Sequence, residues 1–434
     1  MMNTHLKTFL HGSLFSFIAM FIGGVVNYLT RRYLALHLSE YNFGLFYGMF
    51  SFVCIAGSFA EFGLTQSGTV LFAEAAAAQK KNEFPKIFSA LIVLRAIFCT
   101  LIFAGLLLFH AEIRKGFGGV AFPTYLLICL LVLIQIPEGT CTSFWNGMKL
   151  FSVSYGLFIC KTILIFLCVS LLTPLLALPG TCTAFLAGPL TAALISLGIL
   201  CIHYKIRLNL HIDRSLWKRV LSLSGFVAIS IMLLNVIYHI GAVLLTFIKG
   251  AESTSYYNIG LSFMQIIQVT MVFPTIFLPI AVQMNREKKY ASLKKVLYIS
   301  VFLTLLVLPI TALFFHLTSP ALINFLFSEK YGRAAPTVTV LCSGLLFYTL
   351  SNFLSQILIS MNQVKAMALN TLVVTGINIL LNLALIHFYD FTGAAFASAI
   401  SYILLALLNA LLLYSTISRS CRTSDSGQEE LPSA

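Results

Sequence analysis

The chain has 434 residues, of which 59% are apolar and only 9% are charged, and its formal net charge is +13 at pH 7. A soluble domain carries roughly 25% charged residues, because its surface has to be solvated. The composition therefore excludes a soluble enzyme, a disordered chain and a nucleic-acid-binding module, and it predicts a polytopic α-helical membrane protein.

Twelve long apolar runs follow one another along the chain. Each is long enough to cross a hydrocarbon core of about 30 Å as a helix. We number them as spans 1 to 12. Their predicted limits are 10–33, 43–66, 87–109, 121–145, 151–173, 181–203, 220–248, 256–282, 296–316, 337–360, 367–388 and 393–416.

The Lys and Arg residues between the spans are unevenly divided between the two sides of the membrane. With the N-terminus inside, the cytoplasmic segments hold 18 of them and the outer segments hold 7. Cytoplasmic loops of membrane proteins are enriched in these residues, so the bias predicts that both termini lie in the cytoplasm. Membrane orientation and contact with anionic membrane lipids then explain the basic loops and the positive net charge, and no nucleic-acid partner is expected.

The chain divides at its longest cytoplasmic loop, with six spans on either side. The turn with Glu40, after which Tyr41-Asn42-Phe43-Gly44 opens span 2, resembles the turn with Glu252, after which Tyr256-Tyr257-Asn258 opens span 8; this similarity supports an internal repeat. We predict an all-α polytopic membrane protein with twelve transmembrane helices in two six-helix bundles, the architecture of many transporters. Its parts are an N-terminal bundle at 1–203, a basic linker at 204–219, a C-terminal bundle at 220–416 and a polar tail at 417–434.

Four ionisable side chains lie inside spans of the first half: Glu61, Arg95, Glu138 and Lys161. Each costs about 2.5–3.5 kcal/mol at a helix centre, so such groups usually face a partner or a water-filled cavity. Two interpretations stay open. Arg95 and Lys161 could bind an anionic substrate, because Arg grips phosphate oxygens through two bonds and Lys acts as a point charge. Alternatively, they could simply neutralise the two glutamates.

Arg31 and Arg32 lie at the predicted outer end of span 1. They could extend a cationic path for the substrate, or they could reach out to the membrane interface. His239 is the only histidine deep in a span, and it is either a hydrogen-bonded packing residue or a proton-coupling group. A third set of polar residues could line a cavity or could hydrogen-bond between helices, namely Asn235, Gln265, Asn378 and Asn382.

Motifs of metal-dependent or nucleotide-dependent enzymes are missing from the sequence. The nine His are scattered, and neither HExxH nor GxxxxGK[ST] occurs. The ten Cys form no CxxC pair and lie almost all in apolar runs, which is typical of small buried side chains. We therefore expect no metal, no cofactor and no enzymatic activity.

Four stretches, taken in order, resemble the polysaccharide-biosynthesis (Wzx-type) flippase family of the MOP superfamily, whose members are related to MATE exporters. The first is Glu40-Tyr41-Asn42-Phe43-Gly44 together with Glu61-Phe62-Gly63-Leu64. The others are Ser255-Tyr256-Tyr257-Asn258; Phe327-Ser328-Glu329-Lys330-Tyr331; and the run from Asn378 and Asn382 to Gly393-Ala394-Ala395. Together they cover nearly the whole chain.

The resemblance implies that a polyprenyl-pyrophosphate-linked oligosaccharide is moved from the inner to the outer leaflet of the bacterial cytoplasmic membrane by alternating access. Other polysaccharide-assembly proteins would act before and after this step. Many family members carry an Asp midway along span 7, where this sequence reads Asn235-Val236-Ile237-Tyr238-His239, so the coupling ion is left open. A MATE-like exporter of small cations and a membrane-embedded polymerase or ligase are the alternatives.

Overall fold

The computed structural model describes residues 2–206, 214–267, 277 and 281–426 of the chain. Over these ranges the protein consists of helices and short connections, and no strand occurs among them. The predicted all-α fold class is confirmed. Part of span 8 and part of the basic linker, 268–276, 278–280 and 207–213, lie outside the described residues, as does the end of the tail, 427–434.

The helices of the first half follow the predicted spans closely. They are Met2–His37, Glu40–Glu61, Leu64–Ala77, Phe84–Leu108, Phe122–Cys129, Leu131–Gly147 and Phe151–His203, with a short helix at His110–Gly116 and a 3-10 turn at Lys81–Glu83. Span 2 is thus built from two helices, Glu40–Glu61 and Leu64–Ala77. The long helix Phe151–His203 contains both span 5 and span 6.

The second half contains longer helices. They are Arg214–Ile248, Ala251–Ile267, Tyr290–Leu326, Ala335–Ser360 and Val364–Ser426, with a 3-10 helix at Glu329–Ala334. Val364–Ser426 contains spans 11 and 12 and continues into the predicted polar tail, so the chain is helical ten residues beyond the predicted end of span 12 at 416.

Eight stretches of the described residues are long and apolar enough to cross a membrane. Two of them hold two spans each, because the chain reverses where the backbone leaves helical geometry, at Ala177 (φ 49°, ψ −123°) and at Asp390 (φ 54°, ψ −135°). A Cβ placed on Gly180 would lie 2.2 Å from the carbonyl oxygen of Leu172, which shows how tightly the first hairpin folds back.

Buried apolar side chains join the two halves mainly at one end of the bundle. One large cluster contains residues of both halves, such as Phe46 and Tyr257. A second cluster, around Trp145, belongs to the first half and takes in the start of span 7, and a third, around Leu354, belongs to the second half. The halves therefore share a large core at one end, and at the other end the start of span 7 packs against the first half.

We call the shared end the closed end and the opposite end the open end. The closed end carries the turns at 38–39, 249–250 and 327–334, and the open end carries those at 78–83, 148–150, 287–289 and 361–363. At the closed end the two turns of the predicted internal repeat meet, because the Tyr256 hydroxyl donates to Glu40 Oε2 at 2.7 Å. Spans 2 and 8 cross there at Gly44, where a Cβ would lie 1.7 Å from the carbonyl oxygen of Ala251.

Candidate functional site

A cavity of about 360 Å³ lies between the two halves, with walls from spans 2, 3 and 4 of the first half and span 7 of the second. Each wall contributes residues at helical spacing, which places them on one face of their helix. Span 4 supplies Gln135, Glu138, Gly139 and Thr142; span 2 supplies Cys54, Gly57, Ser58, Glu61 and Thr65; span 7 supplies Ile231, Met232, Asn235 and His239. Span 3 supplies Arg95. The cavity thus brings ionisable and polar side chains together between the two halves.

Arg95 is the most deeply buried charge of this cavity, with a relative exposure of 0%. Its Nη2 donates to Thr65 Oγ1 at 2.8 Å and lies 3.7 Å from Glu61 Oε1. Its Nε and Nη1 have no hydrogen-bond acceptor in the part of the chain that the structure describes. Unpaired buried donors are costly. An anion that enters the cavity can satisfy them.

Gly139 of span 4 makes the space for this guanidinium. A Cβ at position 139 would lie 2.2 Å from Arg95 Nη1 and 2.6 Å from its Cζ. Any larger side chain at this position would push Arg95 from its place. Gly139 therefore belongs to the site although it has no functional group.

Glu61 lies where span 2 is broken. The chain leaves the first helix through two residues with positive φ, Phe62 (41°) and Gly63 (70°), before the helix Leu64–Ala77 begins. The Glu61 carboxylate accepts hydrogen bonds from the backbone N–H of Thr65 at 2.8 Å and of Gly63 at 3.3 Å. A Cβ on Gly63 would lie 2.1 Å from Ala228 Cβ of span 7, so this position needs glycine for its conformation and for the close approach.

Glu138 pairs with Lys161, with 2.5 Å between Oε1 and Nζ and about a quarter of each side chain exposed, 29% and 24%. Lys161 lines a second cavity, of about 380 Å³, that is enclosed by spans 1, 4, 5 and 6 of the first half. Glu138 and Thr142 line both cavities and so form their common wall. The two glutamates and two cations are arranged as neutralising pairs, which is the second interpretation left open by the sequence. The described wall of the inter-half cavity itself carries Glu61, Glu138 and Arg95, because Lys161 lines the second cavity.

His239 and Asn235 line the same cavity from span 7. His239 Nδ1 lies 3.2 Å from Ser51 Oγ of span 2, and Asn235 Nδ2 donates to its own helix at the Ile231 carbonyl, 3.1 Å away. His239 thus has a hydrogen-bond partner and faces the cavity, and its coupling role stays a prediction.

Arg31 and Arg32 lie at the closed end and not in the wall of either cavity as the structure describes them. Arg31 has a relative exposure of 6%, its Cζ lies 4.3 Å over the ring of Tyr47, and its Nη1 donates to the Asn258 carbonyl at 3.5 Å. Arg32 Nε donates to the Leu326 carbonyl at 2.5 Å. Both side chains therefore connect span 1 to the second half, and burial prevents Arg31 from reaching the membrane interface.

Asn378 and Asn382 are fully buried in the second half. Asn378 Nδ2 donates to Ser401 Oγ at 2.8 Å and to the Ala397 carbonyl at 3.3 Å, which connects span 11 to span 12. Asn382 Nδ2 donates to the Asn378 carbonyl at 2.9 Å. Gln265 is half-buried in the helix of span 8. None of the three is in the described wall of the inter-half cavity, and hydrogen bonding between helices accounts for Asn378.

The family of polysaccharide biosynthesis proteins matches residues 9–284, well over half of the chain. The chain belongs to this family. No curated protein matches its sequence.

Solved structures of MOP-superfamily transporters have the same fold as this family member. An inward-facing multidrug resistance MATE family transporter is 12% identical and has a TM-score of 0.74 over 95% of this chain and 96% of its own. The lipid II flippase MurJ, in an inward closed conformation, is 16% identical, with a TM-score of 0.67 over 96% of this chain and 94% of its own. An outward-facing MATE transporter is 15% identical, with a lower TM-score of 0.62 over 95% and 96%.

Sequence reasoning missed several residues that line the cavity of this family member, among them Thr65, Gln135 and Gly139. A helical pattern in span 4 could have revealed two of them, because Gln135, Glu138, Gly139 and Thr142 follow an i, i+3, i+4, i+7 spacing. Thr65 had a weaker signal, namely its position two residues after Gly63.

Proposed function

We propose that this chain moves a polyprenyl-pyrophosphate-linked oligosaccharide, the repeat unit of a polysaccharide, from the inner to the outer leaflet. The head group would pass between the two halves while the polyprenyl tail stays in the bilayer. The family supports a place in polysaccharide biosynthesis, and the fold is one that a lipid II flippase also has.

Arg95 is the observation that carries the proposal. A guanidinium has five N–H donors in a planar fork that matches phosphate oxygens. Here the fork is fully buried beside the cavity, and its Nε and Nη1 have no acceptor in the described part of the chain. A pyrophosphate would supply those acceptors.

Alternating access follows from the packing of the halves. At the open end the apolar cluster of the first half takes in the start of span 7 and is separate from the cluster around Leu354, so a rocking motion can widen the cavity there without exposing the large shared core. The predicted orientation, with both termini in the cytoplasm of a bacterial cell, turns the open end toward the inner leaflet. Assembly proteins of the same polysaccharide would supply the lipid-linked unit there.

We propose a transporter and not an enzyme, and the second candidate function is the export of small cations. It is favoured by the two carboxylates in the cavity wall, Glu61 and Glu138, and by the fold that the chain has in common with MATE transporters. A cation would bind to carboxylates, whereas a pyrophosphate would bind to Arg95.

Lipid analysis of a strain that lacks this chain distinguishes the flippase from the cation exporter. For a flippase, lipid extracts should show the polyprenyl-pyrophosphate oligosaccharide accumulating on the cytoplasmic leaflet while surface polysaccharide disappears. The wild-type chain and Arg286→Ala, which changes an exposed arginine, should restore export, and Arg95→Ala should not. An unchanged lipid pool with new sensitivity to cationic drugs would favour the exporter and contradict the flippase.

A further inference from the structure

The break in span 2 leaves a helix N-terminus inside the membrane and at the cavity. The helix Leu64–Ala77 has 14 residues, and Gly63 at its N-cap has no side chain to cap it. The first N–H groups of a helix have no partner within the helix, and the aligned peptide dipoles give that end a partial positive charge. Such an end attracts phosphate groups when a second cation or a cavity brings them there.

A carboxylate already occupies this N-terminus. The two oxygens of Glu61 accept from the N–H groups of Thr65 and Gly63, and one of them also lies 3.7 Å from Arg95 Nη2. Glu61 thus lies between the helix end and the guanidinium, which is the position that a bound anion would take.

Arg95 and the helix end form one site, because Arg95 Nη2 donates to the side chain of Thr65 in the first turn of the same helix. Glu61 satisfies this site only in part. The guanidinium keeps Nε and Nη1 without an acceptor in the described residues although its relative exposure is 0%. A phosphate has three oxygens to offer where the carboxylate has two, so it can bind the backbone and the unpaired donors together.

The charge balance of the cavity shows why the two anions cannot bind together. The described wall holds the carboxylates Glu61 and Glu138 and the cation Arg95, so a pyrophosphate that enters meets Glu61 at short range and without a free positive charge. Like charges at such distances repel strongly in a medium of low dielectric constant. Glu61 has to leave the helix end before a phosphate can occupy it.

Building on the proposed function, we propose that the N-terminus of Leu64–Ala77, together with Thr65 and Arg95, is a phosphate site that Glu61 occupies and vacates when the substrate's pyrophosphate binds. Glu61 is then an internal competitor of the substrate. It keeps the site filled when no substrate is bound, and it can displace the pyrophosphate again when the head group has to be released.

Two roles of Glu61, a helix cap and a competitor of the substrate, predict different results. A cap needs an acceptor for the N–H of Thr65, and the amide oxygen of a glutamine provides one. A competitor needs its negative charge. Glu61→Gln keeps the acceptor and removes the charge, so it separates the two roles with little effect on folding.

The test is the binding of inorganic pyrophosphate to the purified full-length chain in detergent, measured by isothermal titration calorimetry at low salt. We expect Glu61→Gln to bind pyrophosphate at least about tenfold more tightly than the wild type, because one close negative charge is removed. Glu112→Gln, which removes an exposed carboxylate far from the cavity, should bind within about twofold of the wild type. Arg95→Ala should lose binding in both backgrounds.

A second measurement uses the wild-type chain alone. Labelling by the hydrophobic carbodiimide DCCD, mapped by mass spectrometry, should rise at Glu61 when pyrophosphate is added, because the carboxyl group is released from the helix end.

The outcomes separate this proposal from the proposed function. Equal or weaker binding by Glu61→Gln, with binding still lost in Arg95→Ala, would overturn the exchange and leave the Arg95 site in place. Pyrophosphate binding that does not depend on Arg95 would overturn the phosphate site as a whole, whereas an unchanged lipid pool in the deletion strain would overturn the proposed function. Labelling at Glu61 that stays constant as pyrophosphate saturates the wild type would also reject the exchange.

Discussion

Gly139→Ala tests whether the position of Arg95 determines substrate binding. The change adds one methyl group in the middle of span 4 and alters no charge. The new Cβ would lie 2.2 Å from Arg95 Nη1 and 2.6 Å from Cζ, whereas non-bonded carbon and nitrogen atoms approach to about 3.5 Å. The guanidinium must therefore move by about 1 Å.

The expected size of the effect follows from the hydrogen bonds that this movement disturbs. Nη2 donates to Thr65 Oγ1 at 2.8 Å, and a shift of about 1 Å breaks that bond. A hydrogen bond of a charged group contributes about 1.5–3 kcal/mol, so pyrophosphate affinity should fall roughly ten- to a hundredfold. Folding should suffer less, because alanine is the better helix former by about 0.5–1 kcal/mol, which offsets part of the overpacking.

The assay compares pyrophosphate affinity of the purified variant with export of the lipid-linked unit in cells, both normalised to the amount of protein in the membrane. Gly105→Ala is the matched control, because it lies in the same span as Arg95 and its Cβ would meet no described atom within 4 Å. Wild-type affinity and export in Gly139→Ala would refute the argument that this glycine holds the guanidinium in place.

Three further changes test the packing around the site. Lys161→Ala leaves Glu138 unpaired, and because both side chains are about a quarter exposed, the free energy of unfolding in detergent should fall by about 1 kcal/mol. Replacing both residues by Met should restore it, and an unchanged stability of Lys161→Ala would show that the pair contributes nothing. Gly44→Ala places a Cβ 1.7 Å from the backbone oxygen of Ala251, so spin labels on spans 2 and 8 should move apart at the closed end; an unchanged distance would count against that contact. Asn378→Leu removes a buried donor that joins spans 11 and 12 and should cost about 1–3 kcal/mol by the same unfolding assay, and full stability would show that the bond is dispensable.

The spans could be predicted from the sequence because their apolar length alone decides whether they cross a membrane. The hairpins between spans 5 and 6 and between spans 11 and 12 could not be predicted in detail. Loops were expected at 174–180 and at 389–392, yet each reversal leaves helical geometry at a single residue, Ala177 or Asp390. Neither residue is glycine, so no local signal marked the positive φ that these positions adopt.

The charged part of the site could be predicted for a similar reason. A charge within a span is expensive, so Glu61, Arg95, Glu138 and Lys161 could be identified from their depth alone. Depth along a span does not reveal which neighbour each side chain faces. Lys161 lines the cavity within the first half, and only tertiary packing reveals that Glu138 separates it from Arg95.

Arg31 illustrates the same limit. Its position at the end of span 1 predicted a residue near the membrane surface. The packing of span 2 and span 8 over that end buries it against Tyr47 and the Asn258 carbonyl instead. A rise of 1.5 Å per residue gives the depth of a residue, but the residues that cover it come from distant parts of the chain.

The break in span 2 also connects the site to the motion that transport requires. Helix Leu64–Ala77 packs into the core of the first half, where Phe72 shares a cluster with Phe88 and Phe144. Its N-terminal turn also meets the second half, through the contact between Gly63 and Ala228 of span 7 and through the Ser224 hydroxyl, which donates to Ser67 Oγ at 3.3 Å. A movement of the second half that carries span 7 would therefore change the surroundings of the helix end.

Such a movement would act on the proposed phosphate site through the turn at Gly63, which packs against Ala228 of span 7, while Thr65 and Arg95 stay together in the first half. A ligand shifts a conformational equilibrium only as far as its affinity differs between the two states. A phosphate site whose N-terminal turn packs against the other half has that difference built into its geometry. Binding of the pyrophosphate and rocking of the halves are then coupled through the contact between Gly63 and Ala228.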